Sequence, residues 1–427
     1  MKRIGHLFER IVEPDNLRLA FIKASRGKRQ RDAQVLFQRN LDCELHKLRE
    51  GLLAGDYPIG DYRRFTIWEP KEREICAASF GERVLHHALM NVCEPYFDSW
   101  LVPDTYACRK GKGQLKAVQR AQVLASRHAW FLKGDFRKYF DSIPHDRLLA
   151  LLERKFKDPV LLFWFRRIVE SYEKTPGRGL PIGNLTSQHF ANLYLDRFDR
   201  FRQDVPYVRY MDDFVFWSDD KEELLALRQS LERFVAEELG LSFKACPFVN
   251  RTCMGMDFLG MRVFPSTIHL NHESKARFRR KFRAYEKVYA RGEWTEEVLQ
   301  ARVTALTAFT EQVRAVPWRR RFLADCEERR GVPREPRRQL EQQRAELPLR
   351  EPQQEPAVQP QQQPRLPPLL LRSTAGFGIP RGPRSRPVSG NGTNDTSRTD
   401  ASSAVERFGS HLLKETPCPR STPSSSR

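Results

Sequence analysis

The stretch YVRYMDDFVFWSDD, from Tyr207 to Asp220, decides the fold. Two adjacent aspartates, Asp212 and Asp213, stand between apolar runs that are typical of strands. Neighbouring carboxylates repel each other and resist burial, and an isolated pair of this kind is most often a solvated turn. Here the flanking residues are aromatic, which weakens that interpretation. A hairpin that turns at Met211 and Asp212 would carry both acids at its tip.

A second strand-like segment, FLKGDFRKYFDSI, carries another acid, Asp135, among apolar neighbours. Because strand side chains alternate between faces, the end of this strand can lie beside the hairpin tip, where Asp135 and Asp212 would converge. Divalent cations make such convergence tolerable, and hard oxygen ligands suit Mg²⁺. Two ions about 3.5–4 Å apart can activate an attacking hydroxyl and stabilise a leaving oxyanion in phosphoryl transfer. The two segments therefore predict a two-metal site.

Charge and cysteine usage narrow the function classes. The 427 residues include 74 Lys and Arg against 54 Asp and Glu, a formal charge of +20. This excess favours a polyanionic partner such as nucleic acid, with a basic protein whose charges are merely solvated as the alternative. The eight cysteines form no C-x-x-C pair, so we expect neither a zinc ribbon nor a disulfide framework. We also expect no signal peptide, no membrane span and a cytoplasmic location.

Apolar periodicity predicts a mixed arrangement of helices and strands up to Val332. A proline, Pro70, predicts a bend in an extended stretch, and Pro144 predicts the first turn of a helix. The other predicted elements are helices over 1–55, from Gly81 and over Lys221–Leu239, with Gly240 as the stop of the last, and a buried strand over 129–136.

Taken in order, these segments resemble the motifs of reverse transcriptases. YMDD resembles the catalytic hairpin, and FLKGDFRKYFDSI resembles the first catalytic strand. Further similar segments are FTIWEPKEREI in the fingers, GERVLHHAL in the next helix, GLPIGNLTSQHFANLYL at the nucleotide, GLSFK in the later palm and DFLGMRV at the primer grip. The resemblance covers roughly residues 55–270. It implies an α+β right-hand polymerase: amino-terminal helices and fingers over 1–128, an RRM-like palm over 129–268 and a helical basic thumb over 269–332.

The same resemblance implies a role for each matching residue. Two Mg²⁺ ions would be held by Asp135 and Asp212, with the backbone of Phe136 as a further oxygen donor and Asp213 beside them, tuning the charge. Lys244 would protonate the leaving pyrophosphate. The residues implied at the incoming nucleotide are Lys71 and Arg73 as a triphosphate clamp, Phe140 as a gate against a ribose 2′-hydroxyl, Ile182, Gly183 and Gln188. Those implied at the primer terminus are Phe258, Leu259 and Gly260. Plain core packing is the alternative for Phe140, and an exposed charge pair is the alternative for Lys71 and Arg73.

One motif narrows the family. Most reverse transcriptases carry Q-G-x-x-x-S-P, whereas this chain has Ile182 before Gly183 and Gln188 after Ser187. This pair resembles the reverse transcriptases of diversity-generating retroelements in bacteria and their phages. Those enzymes copy a template-repeat RNA into cDNA that is mutated at adenines, and the cDNA replaces the variable region of a target gene. The alternative is another bacterial reverse transcriptase of ordinary fidelity, retron-like, group II intron-like or defence-associated, in which Ile182 is only packing.

The resemblance also implies partners. They are the template-repeat RNA, the RNA–cDNA duplex, deoxynucleoside triphosphates and a small accessory variability protein that is a basic oligomer. An RNA-binding protein with a decayed polymerase fold is a non-enzymatic alternative, and the intact acids Asp135, Asp212 and Asp213 argue against it.

The end of the chain has a different composition. Residues 333–427 are rich in Gln, Pro, Ser and Arg, and such a segment cannot bury enough apolar surface to offset its ordering entropy. We therefore expect a disordered tail. In a shifted reading frame, the codons of GFGIP (376–380) and SAVER (403–407) permit x-W-N-S and G-C-R-A, which resemble the W-N…G-F-R framework of formylglycine-enzyme-like variable proteins. One hypothesis is that the template repeat overlaps the end of the gene.

Overall fold

The structure is a computed structural model that describes residues 3–27, 32–68, 72–311, 313 and 315–329, with side chains up to Cys326. Two compact units divide the chain, one from Met1 to Pro317 and one from Trp318 onward. The predicted bend at Pro70 and the predicted disorder of residues 333–427 lie outside the described ranges. None of the helices within those ranges has the length and apolarity that crossing a bilayer requires.

Helices and short strands alternate along the chain. The described helices are α1 (Phe8–Ile11), α2 (Pro14–Ala24), α3 (Asp32–Arg39), α4 (Leu41–Ala54), α5 (Phe80–Trp100), α6 (Gln114–Ala125), α7 (Tyr139–Ser142), α8 (His145–Lys155), α9 (Pro159–Glu170), α10 (Leu185–Tyr194), α11 (Asp196–Asp199), α12 (Lys221–Leu239), α13 (His272–Ala290), α14 (Glu296–Glu311) and α15 (Val316–Arg329). The described strands are β1 (Arg63–Ile67), β2 (Arg73–Ala77), β3 (Trp130–Asp135), β4 (Tyr207–Tyr210), β5 (Asp213–Ser218), β6 (Phe248–Arg251), β7 (Met256–Phe258), β8 (Met261–Val263) and β9 (Ile268–Leu270).

Most predicted elements are present. The amino-terminal region forms α1 to α4, the predicted buried strand is β3, and α12 ends at Gly240, whose φ of +60° suits glycine. The prediction for Pro144 is wrong by one residue. Pro144 has an extended backbone and stands at the N-cap directly before α8, so the first helical turn begins at His145. The division into fingers, palm and thumb stays a prediction.

A four-stranded antiparallel sheet lies at the centre of the first unit, with the strand order β4-β5-β3-β6. The two middle strands are β5 and β3, and their register places Asp135 opposite Asp213. The connection from β4 to β5 is short, so β4 and β5 form a hairpin whose turn is Met211 and Asp212. All three aspartates therefore lie at the same end of the two middle strands, where β3 ends and β5 begins.

The apolar core reaches to the base of these carboxylates through a cluster of phenylalanine rings. The ring centroids of Phe214 lie 5.6 Å from Phe136 and 4.8 Å from Phe198. Gly134 makes room for this cluster, because a Cβ at that position would lie 2.3 Å from the Phe214 ring. The glycine before Asp135 is thus needed for packing, and the packing holds the two middle strands in register.

The elements after the sheet carry exposed positive charge. Strands β7, β8 and β9 form a three-stranded antiparallel sheet, and helix α13 follows it. On α13, Phe278 and Phe282 are buried with parallel rings 6.2 Å apart, while Arg279 and Arg280 are exposed. The helix therefore buries an apolar face and presents a basic one.

Candidate active site

A buried arginine, Arg209 of β4, holds the hairpin turn in place. Its guanidinium donates to both carboxylate oxygens of Asp199 at 2.6 Å, to Asn192 Oδ1 at 2.9 Å and to the Met211 carbonyl at 2.9 Å. Neither Arg209 nor Asp199 has measurable side-chain exposure. The Met211 bond fixes a residue whose φ is +57°, a conformation that is costly for a side chain larger than glycine. The motif analysis missed Arg209, although an arginine between strand-forming residues was a signal.

Asp212 lies in the turn, where the ionised form of its carboxylate is electrostatically unfavourable. Burial, together with the neighbouring charges of Asp135 and, to a smaller extent, Asp213, raises the pKa of Asp212 to about 6. A backbone hydrogen bond and the cation of Arg73 act in the opposite direction. A carboxylate with a raised pKa beside two other acids is suited to a cation, because the cation would relieve both causes.

Asp213, the first residue of β5, has a different environment. Its Oδ1 accepts a hydrogen bond from Lys133 Nζ at 2.5 Å. Burial raises the pKa of Asp213, whereas Lys133 and the backbone N–H of Leu259 counteract the shift. Lys133 is a second residue that the motif analysis missed. It lies two positions before Asp135 on the same strand and hence on the same face.

A short bridge of two backbone hydrogen bonds joins the chain just after β3 to the segment that carries Lys244. Arg137 N–H donates to the Ser242 carbonyl at 2.9 Å, and Lys244 N–H donates to the Asp135 carbonyl at 2.8 Å. These bonds leave the Phe136 carbonyl out of the bridge, so it is compatible with the predicted role as a metal ligand. Lys244 Nζ lies 3.7 Å from Asp135 Oδ2, which places a proton donor beside the carboxylates.

The residues present fit Mg²⁺, with a restriction on the number of side-chain ligands. In the described ranges, no group of three or more His, Cys, Asp or Glu side chains could hold a metal ion by itself. Mg²⁺ is commonly bound by one or two carboxylates together with substrate phosphates. Asp135 and Asp212 are such a pair, with hard oxygen donors and a mutual repulsion. The roles of the individual acids stay predictions.

The segment predicted to cradle the nucleotide is joined to the β1–β2 hairpin, which lies in the predicted fingers. The Ile182 carbonyl accepts from Cys76 N–H of β2 at 2.8 Å. Gly183 follows with a φ of +127°, and a Cβ there would lie 2.8 Å from the Cys76 carbonyl oxygen. The glycine thus permits close approach between two backbone segments. Ile182 itself is half-buried, and its predicted role at the nucleotide and the packing alternative both stay open.

The other residues predicted at the nucleotide lie on several elements. Phe140 lies on α7 and is half-buried, and its carbonyl accepts from Leu180 N–H at 2.8 Å. The Gln188 side chain accepts a hydrogen bond from the Cys108 thiol at 3.3 Å. Arg73 is exposed at the start of β2, and Lys71 lies outside the described residues.

The predicted primer grip is the tight turn between β7 and β8. Leu259 and Gly260 both have positive φ, +50° and +80°. The Leu259 carbonyl accepts from Gln114 Nε2 of α6 at 2.6 Å. The ring of Phe258 is centred 6.0 Å from Lys133 Nζ. The turn therefore lies next to the carboxylate cluster, where a primer terminus would have to be.

Comparison with known proteins agrees with this geometry. Residues 69–263 match a family model described as reverse transcriptase (RNA-dependent DNA polymerase). The chain is 28% identical over 156 residues to an uncharacterised 91 kDa protein in the cob intron of Schizosaccharomyces pombe, which covers 35% of this chain and 18% of that protein. It is 23% identical to protein YkfC of Escherichia coli K12, over 54% of this chain and 74% of YkfC. It is 24% identical to the group II intron-encoded protein LtrA of Lactococcus lactis, over 37% of this chain and 28% of LtrA.

The match indicates a reverse transcriptase (RNA-directed DNA polymerase) domain over residues 69–263, as the motifs predicted, and the relatives are consistent with a group II intron-like reverse transcriptase. The chain spans between about a fifth and three quarters of the length of these relatives.

Proposed function

We propose that this chain, with its reverse transcriptase domain, copies RNA into DNA as the mutagenic enzyme of a diversity-generating retroelement. The observation that supports polymerisation is the convergence of Asp135, Asp212 and Asp213 at one sheet edge, beside the turn at Leu259. The observation that favours the mutagenic subtype is the pair Ile182 and Gln188.

The chain's own residues would divide the work as follows. Asp135 and Asp212, with the Phe136 carbonyl, would hold Mg²⁺, which supplies activation of the primer hydroxyl and stabilisation of the leaving pyrophosphate. Arg73 faces Asp212 closely enough to lower its pKa and can bind the triphosphate. Lys244, beside Asp135, can give a proton to the pyrophosphate.

The mutagenic role follows from the nucleotide segment. A glutamine at position 182 could hydrogen-bond near the nascent base pair, whereas Ile182 offers only branched carbon. Loss of one positioned polar contact lowers discrimination by about 1–3 kcal/mol. The Ile182 carbonyl accepts from Cys76 N–H and the Gln188 side chain accepts from the Cys108 thiol, so the backbone at Ile182 and the side chain of Gln188 are held in place. The segment can therefore present one defined, poorly discriminating surface.

The proposed partners are a template-repeat RNA, the RNA–cDNA duplex, deoxynucleoside triphosphates and a basic oligomeric accessory protein. The exposed basic face of α13, with Arg279 and Arg280, is suited to phosphate contacts with a duplex. We place the protein in the cytoplasm of a bacterium or of a phage-infected cell. The competing proposal is another bacterial reverse transcriptase of ordinary fidelity, and the similarity to the group II intron-encoded protein is consistent with it.

Sequencing of cDNA tests both levels of the proposal. Purified protein, with its accessory partner, would copy RNA from its own locus, and a double variant Asp212→Ala, Asp213→Ala would run beside it. We expect cDNA from the wild type with errors concentrated opposite adenine, and none from the double variant. Faithful cDNA would retain the polymerase and refute the mutagenic role.

A single substitution sharpens this test. Ile182→Gln restores the polar side chain that most reverse transcriptases carry, and it should lower the error frequency opposite adenine by about 5- to 150-fold, the range that about 1–3 kcal/mol allows. Ile182→Val keeps a branched apolar side chain and serves as the matched control. Equal error spectra from the wild type, Ile182→Gln and Ile182→Val would assign Ile182 to packing.

A further inference from the structure

Lys133 is a partly buried lysine on the strand that ends in Asp135. Its side chain is 14% exposed and that of Asp213 is 23% exposed, and the two form an ion pair at 2.5 Å. A lysine that is largely withdrawn from water needs a partner, and here the partner is one of the three site acids. The same ammonium lies 6.0 Å from the centre of the Phe258 ring. Lys133 therefore stands between the carboxylate cluster and the β7–β8 turn.

The turn approaches the same carboxylate from the other side. The Leu259 N–H stabilises the charged form of Asp213, and the Leu259 carbonyl is held by Gln114 of α6. Leu259 adopts a positive φ that a leucine rarely accepts. The surroundings must enforce this conformation, and the contacts of its N–H and carbonyl groups are the ones that can. Asp213 thus connects the central sheet to the turn.

A carboxylate in this position is a poor additional ligand for a metal ion. Its charge is already balanced by an ammonium group at hydrogen-bond distance, and a cation that displaced Lys133 would leave that lysine buried without a partner. The described residues accordingly offer no set of three acids that could bind a metal by themselves. Asp135 is paired more loosely, because Lys244 Nζ lies 3.7 Å from its carboxylate and the Lys244 side chain is 54% exposed, so a metal ion can displace that lysine into water.

We propose that Lys133 is a positioning residue that commits Asp213 to the Leu259 turn, so that Asp135 and Asp212 are the two of the three acids that bind the metal ions. This inference rests on the proposed polymerase function, because it assigns the turn to the primer terminus. The two adjacent aspartates then have separate tasks. Asp212 binds cations, and Asp213, through Lys133, fixes the place where the primer end is held.

The test compares Lys133→Met, Asp213→Asn and the double variant, in the full-length protein. Mn²⁺ binding is measured by electron paramagnetic resonance without substrate, and affinity for an RNA template with a DNA primer is measured by fluorescence anisotropy in EDTA. Lys47→Met, an exposed lysine of α4 paired with Glu44, is the matched control. Thermal unfolding of each variant shows whether the fold is retained, and Lys133→Arg tests rescue by a conserved charge.

The expected pattern separates the roles. Lys133→Met should bind Mn²⁺ at least about threefold more tightly, because a nearby positive charge is gone, and should bind primer–template about tenfold more weakly. In the double variant the site charge is restored, so Mn²⁺ affinity should return to within about twofold of the wild type while primer–template binding stays weak. Lys133→Arg should recover most of the primer–template affinity. Lys47→Met should change neither.

Other outcomes would overturn the inference. If Asp213 is a metal ligand, the double variant loses Mn²⁺ affinity by about tenfold or more, as Asp213→Asn does alone. If Lys133 binds nucleotide phosphate, KM for the deoxynucleoside triphosphate rises and primer–template affinity is unchanged. Failure of the proposed function is distinguishable, because it would appear as a wild type that makes no cDNA although the two binding measurements follow the expected pattern.

Discussion

Substitution of Asp212 by asparagine should stabilise the metal-free protein. The side chain lies among acids and is partly withdrawn from water, and these causes raise its pKa to about 6 from an ordinary value of 3.8. At neutral pH the folded state therefore contains an ionised carboxylate whose free energy would be lower in the unfolded chain, where water solvates it. Asparagine has nearly the same shape and can accept the same backbone hydrogen bond, but it carries no charge.

The magnitude follows from linkage between protonation and folding. A pKa of about 6 in the folded state and 3.8 in the unfolded state costs about 3 kcal/mol of stability at pH 7. Because the folded pKa is the higher one, this cost is absent below about pH 4 and grows as the pH rises toward 6. At pH 5 about half of it remains. Asp212→Asn should thus gain about 3 kcal/mol at pH 7 and about half as much at pH 5.

Urea denaturation in EDTA, followed by circular dichroism at both pH values, measures this difference. Asp204→Asn is the control of opposite sign, since Arg202 lowers the pKa of Asp204 and its removal should give no gain. Adding Mg²⁺ should stabilise the wild type and have less effect on Asp212→Asn. A variant that is less stable than the wild type at pH 7, or a gain that does not fall at pH 5, would refute the electrostatic argument.

Two further substitutions test the supports of the site. Gly183→Ala should cost on the order of 1–3 kcal/mol in urea denaturation and weaken nucleotide use, because a Cβ would meet the Cys76 carbonyl at 2.8 Å. Gly177→Ala is the control: a Cβ there has no atom within 4 Å, so the substitution should cost only about 1–2 kcal/mol for its positive φ. Equal losses of nucleotide use in the two variants would contradict the argument from the Gly183–Cys76 contact. Arg209→Met should cost about 3–5 kcal/mol because Asp199 is left buried and unpaired, and recovery in the double variant with Asp199→Asn is the check. An Arg209→Met variant as stable as the wild type would show that the pair does not support the turn.

The order of elements could be predicted from the sequence because its signals are local. Apolar spacing with a glycine stop marks α12, and the alternation around Met211 marks the hairpin. The long-range pairs had no such signal. Lys133 and Asp213 are 80 residues apart, as are Cys108 and Gln188. Their contacts depend on which strands become neighbours and in which register, and that is decided by packing of rings such as Phe214 over the whole sheet.

The register also explains why the chain tolerates two adjacent aspartates in an apolar hairpin. Asp213 begins β5 and lies opposite Asp135 in the ladder, but its charge is balanced by Lys133. Asp212 lies one residue earlier, in the turn, and its repulsion from Asp135 is the larger of its two charge interactions with acids. Of the two adjacent aspartates, Asp212 is therefore the one that a bound cation would stabilise more. Without Lys133, Asp212 and Asp213 would both be repelled by Asp135, and the turn would hold three mutually repelling carboxylates. The buried ion pair of Arg209 and Asp199 could not offset that repulsion, because its net charge is zero.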